Sequence, residues 1–405
     1  MAQTLEYAVT VAAPAAEVFR AFTRATPLRD WLCDVALADA RPGGRIYLWW
    51  NRGYYTAGEY TALDPERRVS FTWAGRNEPA RTQVDVQLAP RGGCTDVRLT
   101  HSGLGEGEEW DRARREFDRG WTAALENLQS LLETGQDLRY TRRPMLGVTL
   151  DDFNPAIAAE LGVPVTEGVR ITGVMPGMAA AAAGLQGNDV LVSVNGQPVV
   201  DYPALVATTQ DKRAGDTVEV DYYRGNEHRT VPMTLSARWL PEIPATPREL
   251  AEAIRNMNVE LMAELRREVE GVPEDQARVR PDNHSWSAME VMAHLVVNER
   301  ETHAWLADMI NDDERFSDRY TNSTSVNARV DAVVTVHASV GAMIQAVRDA
   351  LTETEEIVAN MPDEVTAHRG NYWRIGHNLL QNDQHWHEHM EQIQDALTYA
   401  QQEIA

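Results

Sequence analysis

The stretch Gln381-Asn382-Asp383-Gln384-His385-Trp386-His387-Glu388-His389-Met390-Glu391-Gln392-Ile393 decides how the last third of the chain is read. On a helix, residues four apart share a face, so His385 and His389 can aim ring nitrogens at one metal ion. His387 lies two positions from both and points elsewhere. The His387-Glu388 pair does not open a zincin motif, because the second histidine of that motif falls where this chain has Glu391. A third donor is available upstream, in Trp286-Ser287-Ala288-Met289-Glu290-Val291-Met292-Ala293-His294-Leu295, where His294 stands among apolar neighbours. Inward histidines on two helices of one bundle are costly to bury without a partner, and three histidines leave a metal with an open coordination position.

Outward from this stretch, residues 248 to 402 read as helical. Glycine nearly vanishes, and amphipathic runs cover 248–269, 286–309, about 330–359 and 372–400. Four such runs with polar connections predict an all-α, up-down four-helix bundle. From Thr246 to Ala405 there are 29 acidic and 13 basic residues, a net of −16, against −23 for all 405 residues. Nine of the eleven histidines lie between His284 and His389. An acidic surface field of this kind favours cations.

The Trp-Ser-x-x-Glu-x-x-x-His-Leu run ending at Leu295 and the His-x-x-x-His-x-x-Gln-Ile run ending at Ile393 resemble the DinB-like family of four-helix bundles, also called the YfiT-like group. The resemblance implies that His294, His385 and His389 hold a divalent metal, commonly zinc or nickel. Members of that family include S-transferases for low-molecular-weight thiols. Asn298 and Glu299, one turn after His294, are candidates to support the ligands.

The middle segment, residues 142 to 238, is rich in glycine and short strands. It contains Met145-Leu146-Gly147-Val148, Ala183-Gly184-Leu185 followed by Asp189 and Leu191, and Val194-Asn195-Gly196. Gly184 suits a left-handed helix end, and Asn195-Gly196 suits a primed hairpin turn. These elements are similar to a PDZ domain of the bacterial HtrA type. The resemblance implies capture of a partner's C-terminal peptide as an added strand, with Met145, Leu146, Gly147 and Val148 forming the carboxylate loop and its strand. Leu205 would line the side-chain pocket. No Gly-x-Ser-x-Gly motif or protease-sized segment precedes this domain, so proteolysis is not expected. A linker with Pro241, Pro244 and Pro247 follows.

Residues 1 to 137 read as β-rich with a closing helix. Strands are expected at 45–50, 58–62, 68–73, 83–88 and 95–100. Phe117, Trp121, Leu125, Leu128 and Leu132 share one face of a helix over 110–133. The Pro14–Phe19 segment, Pro42-Gly43-Gly44, Thr72-Trp73 and Gly120-Trp121 are similar to the START-like (SRPBCC) superfamily, in its heat-shock ATPase activator-like branch. That resemblance implies an α+β helix-grip fold around a pocket for a small apolar ligand. Tyr47, Trp49, Tyr55, Trp73 and Trp121 are candidates to line it, with Arg45 as a polar anchor.

The length allows several separate cores, and the chain divides at 1–137, 142–238 and 248–402. A charge of −23 argues against nucleic-acid partners and anionic membrane surfaces. Lys212 is the only lysine and follows Asp211, which excludes a Walker A loop. Cys33 and Cys94 make no metal or redox spacing, and no secretory signal is visible, so a cytoplasmic protein is expected. The sequence thus predicts a cytoplasmic multidomain adaptor. The alternative is an enzyme, a metal-dependent transferase of the thiol S-transferase type or a hydrolase, acting through the last domain.

Overall fold

The computed structural model describes residues 3–51, 53–151, 153–282, 285–315 and 323–404. They form two compact units, one of residues 1–137 with 241–405 and the other of residues 138–240.

In the first unit, residues 3–137 build a seven-stranded antiparallel sheet around one long helix. The elements are β1 (Gln3–Val11), α1 (Ala15–Thr23), α2 (Ala25–Trp31), β2 (Val35–Ala38), β3 (Arg45–Trp49), β4 (Tyr55–Asp64), β5 (Arg68–Gly75), β6 (Thr82–Arg91), β7 (Cys94–Leu104) and α3 (Glu108–Thr134). Strand order is β1-β7-β6-β5-β4-β3-β2. Strict alternation drives the wrap: Val84, Val86 and Leu88 on β6, with Val97 and Leu99 on β7, turn one face inward. The α3 stripe of Phe117, Trp121, Leu125, Leu128 and Leu132 is buried against that face, as the helical spacing predicts. Beneath it, His101 accepts from Trp121 Nε1 through Nδ1 (3.1 Å) and faces Thr82 Oγ1 through Nε2 (2.7 Å). The Thr82 hydroxyl donates to the Trp73 carbonyl (3.2 Å), so the His101 Nε2–H donates to Thr82. His101 is a neutral, fully satisfied core imidazole, and burial pushes its pKa from 6.5 down to about 4.

Residues 241–405 form the helical part: α8 (Pro247–Val269), α9 (Glu274–Ala277), α10 (Ala288–Ile310), α11 (Ser323–Val336), α12 (Val340–Ala359), α13 (Asp363–Ala367), α14 (Arg369–Leu380) and α15 (Asn382–Ile404). α8, α10, α12 and α15 make the four-helix bundle, with α8 and α10 each packed on both α12 and α15. The expected single helices over 330–359 and 372–400 are each broken. α11 meets α12 at 118°. There Ser339 caps α12, accepting from Ala342 N, and the Ala338 carbonyl accepts from Arg278. The second break falls at Gln381. The apolar stripe Tyr372, Ile375, Leu379, Trp386, Met390, Ile393 stays in helical step across it, which is why spacing alone cannot show it. Two apolar clusters fill the bundle. A polar layer crosses between the same helices: Thr354 donates to Glu299 (2.6 Å), His303 Nε2 lies 2.9 Å from Thr354 Oγ1, and Asn258 and Arg255 donate to Glu355. Among the described residues no single helix is long and apolar enough to cross a membrane.

The helix-grip domain and the bundle share a charged junction. Arg374 on α14 pairs with Asp30 (2.8 Å) and with Glu314, which also takes Arg29 (2.7 Å). Arg20 and Asn371 both donate to Asp312, and the Glu314 amide donates to Thr26 Oγ1. Gly370 lets α14 approach α3 closely, since a Cβ there would meet Leu131 at 2.8 Å.

The second unit has α4 (Leu138–Thr141), β8 (Val148–Asp151), α5 (Pro155–Leu161), β9 (Val169–Val174), α6 (Ala179–Ala182), β10 (Val190–Val194), β11 (Gln197–Pro198), α7 (Tyr202–Thr209), β12 (Thr217–Arg224) and β13 (Glu227–Thr234). Its sheet runs β13-β12-β10-β9-β8, with β11 beside β10. Gly184 closes α6 at φ +80°, as expected for a left-handed helix end. The Asp189 carboxylate is fully buried and binds both Arg224 (2.7 Å) and the Gln186 amide (2.8 Å). Arg224 also donates to the Gly184 carbonyl, so one buried ion pair fixes this motif.

Two outcomes test these contacts. Between pH 6.5 and 4 the unfolded state takes a proton on residue 101 that the native state refuses. Stability therefore falls as pH drops through that window, by roughly 3 kcal/mol at its lower end from this group. An NMR midpoint for His101 near 6.5 contradicts the assignment. Arg374→Ala removes the guanidinium that Asp30 and Glu314 share at the junction, and urea unfolding should show a loss of about 3 kcal/mol. A loss below 1 kcal/mol, the range of exposed pairs, means that the junction contributes little.

Candidate functional site

The Trp286-Ser287-x-x-Glu290 motif is a capping box. Ser287 Oγ accepts from the Glu290 amide, Glu290 Oε2 accepts from the Ser287 amide (2.9 Å), and Arg280 braces the same carboxylate. Against the opposing effect of its burial, Arg280 and Ser287 hold the Glu290 carboxyl below its usual range. The box starts α10 at a fixed residue and sets His294 two turns in.

α15 lies against α10, and the three predicted ligands converge. One ring nitrogen from each of His294, His385 and His389 lies within 4.8 Å of the others. His385 Nε2 and His389 Nε2 are 3.0 Å apart. The His389 Nδ1–H donates to Gln392 Oε1 (2.9 Å), which leaves its Nε2 as a bare lone pair facing His385. Buried His294 Nδ1 has no hydrogen-bond partner among the described residues, and its ring lies 4.9 Å from Trp286. Burial, then the neighbouring imidazoles, then Arg329 lower the His294 pKa to about 4. Burial likewise lowers those of His385 and His389. These are neutral nitrogen donors turned toward one point, a set that fits a divalent ion. His387 faces outward, 3.5 Å from Glu264.

Gln392 carries a role that the histidine spacing does not announce, although its i+3 offset from His389 is the signal for it. Glu299 binds Thr354 on α12, within the polar layer. Arg329 on α11 donates to the Val297 carbonyl (3.4 Å) and pairs with Glu301, one to two turns beyond His294.

In the second unit, β8 is an edge strand of its sheet, with β9 its one strand neighbour among the described residues. The Leu146 carbonyl accepts from Ala180 N and the Gly147 carbonyl from Met175 N, so the loop holds its oxygens inward. Among the described residues the Leu146 and Gly147 amides have no acceptor. Gly147 sits at φ +75°, where a Cβ would lie 2.2 Å from that of Met178, so only glycine fits. Met145 departs from the expected loop: its amide and carbonyl both bond Ser236. Val148 begins β8. Leu205 is 3% exposed and packs in the domain core with Leu146 and Val148, beneath the surface rather than open to it.

The six residues expected to line one pocket in the helix-grip domain divide between two faces. Trp73 and Trp121 point inward, with ring centroids 5.4 Å apart, and pack on Phe117 and His101. Arg45, Tyr47 and Trp49 alternate with the buried Ile46 and Leu48, so they stand on the outer face. Tyr55, 40% exposed, is opposite Trp49. The pleat separates the set, and it forms no single cavity.

Comparison with known proteins assigns the three segments. Residues 12–133 match the family model of activator of Hsp90 ATPase homolog 1-like proteins, residues 144–235 the PDZ domain, and residues 257–393 the DinB superfamily. A DegP-like probable periplasmic serine endoprotease of Marinomonas sp. is 29% identical over 116 residues, covering 29% of this chain and 24% of that protein. The magnetosome formation protease MamE of Paramagnetospirillum magneticum is 38% identical over 96 residues, 24% of this chain and 13% of its own. The chain therefore spans less than a quarter of the length of these relatives. Among solved structures, protein MLL2253 of Mesorhizobium loti is 25% identical with a TM-score of 0.30, covering 32% of this chain and 96% of that one. The Aha1 dimer of Colwellia psychrerythraea is 22% identical with a TM-score of 0.30, covering 32% and 96%. In chain order, this multidomain protein joins an activator of Hsp90 ATPase homolog 1-like helix-grip domain, a PDZ domain and a helical domain of the DinB superfamily.

Proposed function

We propose that this protein is a cytoplasmic adaptor that captures the C-terminal peptide of a partner in its PDZ domain and holds a divalent ion, zinc or nickel, in its bundle. The edge strand β8, beside two unengaged amides at Leu146 and Gly147, carries the peptide reading. An extended peptide adds as a strand along β8 while its terminal carboxylate accepts from those amides. The PDZ domain accounts for peptide binding in general, and the preference for a free, apolar C-terminus is the finer proposal.

A second reading is favoured by the histidine set: a metal-dependent transferase for a low-molecular-weight thiol, or a hydrolase, in the bundle. A bound divalent ion lowers the pKa of a coordinated thiol or water. The chain's own part is to keep three imidazoles neutral, to fix the His389 tautomer through Gln392, and to shield the site with Trp286, whose ring lies 4.9 Å from that of His294. Three protein donors leave such an ion a position for substrate.

Metal content by mass spectrometry separates the cases. Wild type should carry about one zinc or nickel per chain, His385→Ala essentially none, and Gln392→Ala should bind ~10–100-fold more weakly. Equal, negligible metal in wild type and His385→Ala removes both the metal site and the enzyme reading. For the PDZ domain, peptides with free apolar C-termini should bind at least ~10-fold more tightly than their amidated forms, about 1.4 kcal/mol. Equal binding of the two forms defeats the carboxylate loop.

A further inference from the structure

We propose that the outer face of the helix-grip sheet carries a docking groove for an acidic polypeptide segment. The groove has a volume of about 740 Å3 and is open to solvent across β1, β7, β6 and the start of β5. Strand register explains both its shape and its charge. On the outer face Arg98 stands between Ala8 on β1 and Gln87 on β6, and Gln87 is opposite Arg68 on β5. One row on, Asp96 stands between Thr10 and Ala89. The small side chains of Ala8 and Ala89 leave a floor, and Arg67, Arg68, Arg91 and Arg98 rise around it.

The acids nearby are already engaged. Asp85 accepts from Arg68 (2.6 Å) and Ser70, and those contacts hold its carboxyl below the usual range although burial acts the other way. Asp96 accepts from Thr10 (2.6 Å) and lies 3.5 Å from Arg91. Glu6 is one row away, opposite Thr100. Arg67 and Arg98 are exposed and have no carboxylate partner among the described residues. Two free guanidinium forks beside two paired ones favour carboxylates, which they bind in a bidentate manner.

The chain's charge selects the occupant. A long polyanion carries many charges past the groove onto a chain of net charge −23, which repels it. A short segment whose carboxylates end at the groove does not. That favours an acidic peptide over nucleic acid or an anionic membrane.

The test uses the full chain and a fluorescent peptide of alternating Glu and Ser, amidated so that the PDZ domain has no terminal carboxylate to take. Anisotropy should report binding that weakens steeply between about 50 and 500 mM salt, and a Gln/Ser peptide should not bind. Arg67→Ala with Arg98→Ala should weaken binding by ~10-fold or more, while Arg41→Ala, an exposed arginine paired with Asp39 elsewhere, leaves it unchanged. Both substituted positions are exposed, so circular dichroism should match wild type. Wild-type affinity in the double variant, or no binding at low salt, overturns the proposal. Tighter, Arg98-dependent binding of a single-stranded oligonucleotide of equal charge also overturns it and gives the groove to nucleic acid.

Discussion

A half-buried guanidinium set between two carboxylates ties the helix-grip domain to the bundle. Arg374 reaches Asp30 and Glu314 at once, and Glu314 also takes Arg29. Such a group is costly to desolvate and is tolerated only where its partners are already in place. The junction therefore needs α2 of the helix-grip domain, the segment after α10, and α14 in register with one another. Gly370 against Leu131, and the Arg20–Asp312–Asn371 contacts, supply the close approach that makes that register possible. Residues at opposite ends of the sequence are thereby one folded body, although a whole PDZ domain lies between them in the chain.

The same rule, that a buried polar group must be satisfied, separates structural histidines from ligands. His101 has a partner on each ring nitrogen, and His303 shares Thr354 and the Ala350 carbonyl across the polar layer. Both are accounted for by the protein alone. In the triad, His294 Nδ1 has no partner among the described residues, and the Nε2 atoms of His385 and His389 face each other 3.0 Å apart. Burial is similar in the two settings, so unmet hydrogen-bonding capacity, and not depth, distinguishes a donor set for a cation.

Much of this was legible in the sequence because it is local or periodic. Alternation gave the strands of β5 to β7, 3.6-residue spacing gave α3 and the bundle helices, and i, i+4 spacing paired His385 with His389. Legibility failed where a pattern was ambiguous or a contact long-range. Arg45-Ile46-Tyr47-Leu48-Trp49 has large apolar or aromatic residues on both faces, so alternation cannot say which face is inward, and it is Ile46 and Leu48, not Tyr47 and Trp49, that turn in. The break at Gln381 leaves the apolar stripe in step. Arg374 and Asp30 are 344 positions apart and look like ordinary surface charges until the fold brings them together.

The DinB-type motifs acquire a mechanical meaning from this. Ser287 and Glu290 do not touch the triad, yet their capping box, with Arg280 across it, fixes where α10 begins. On a helix a shift of one residue turns a side chain by about 100°. A start displaced by one position would swing His294 away from His385 and His389, however well α15 were packed. Gln392 performs the matching task on α15 by fixing which nitrogen of His389 bears the proton. Three imidazoles converge because each helix is fixed in phase and one ring in tautomer, and residues outside the ligand set impose both conditions.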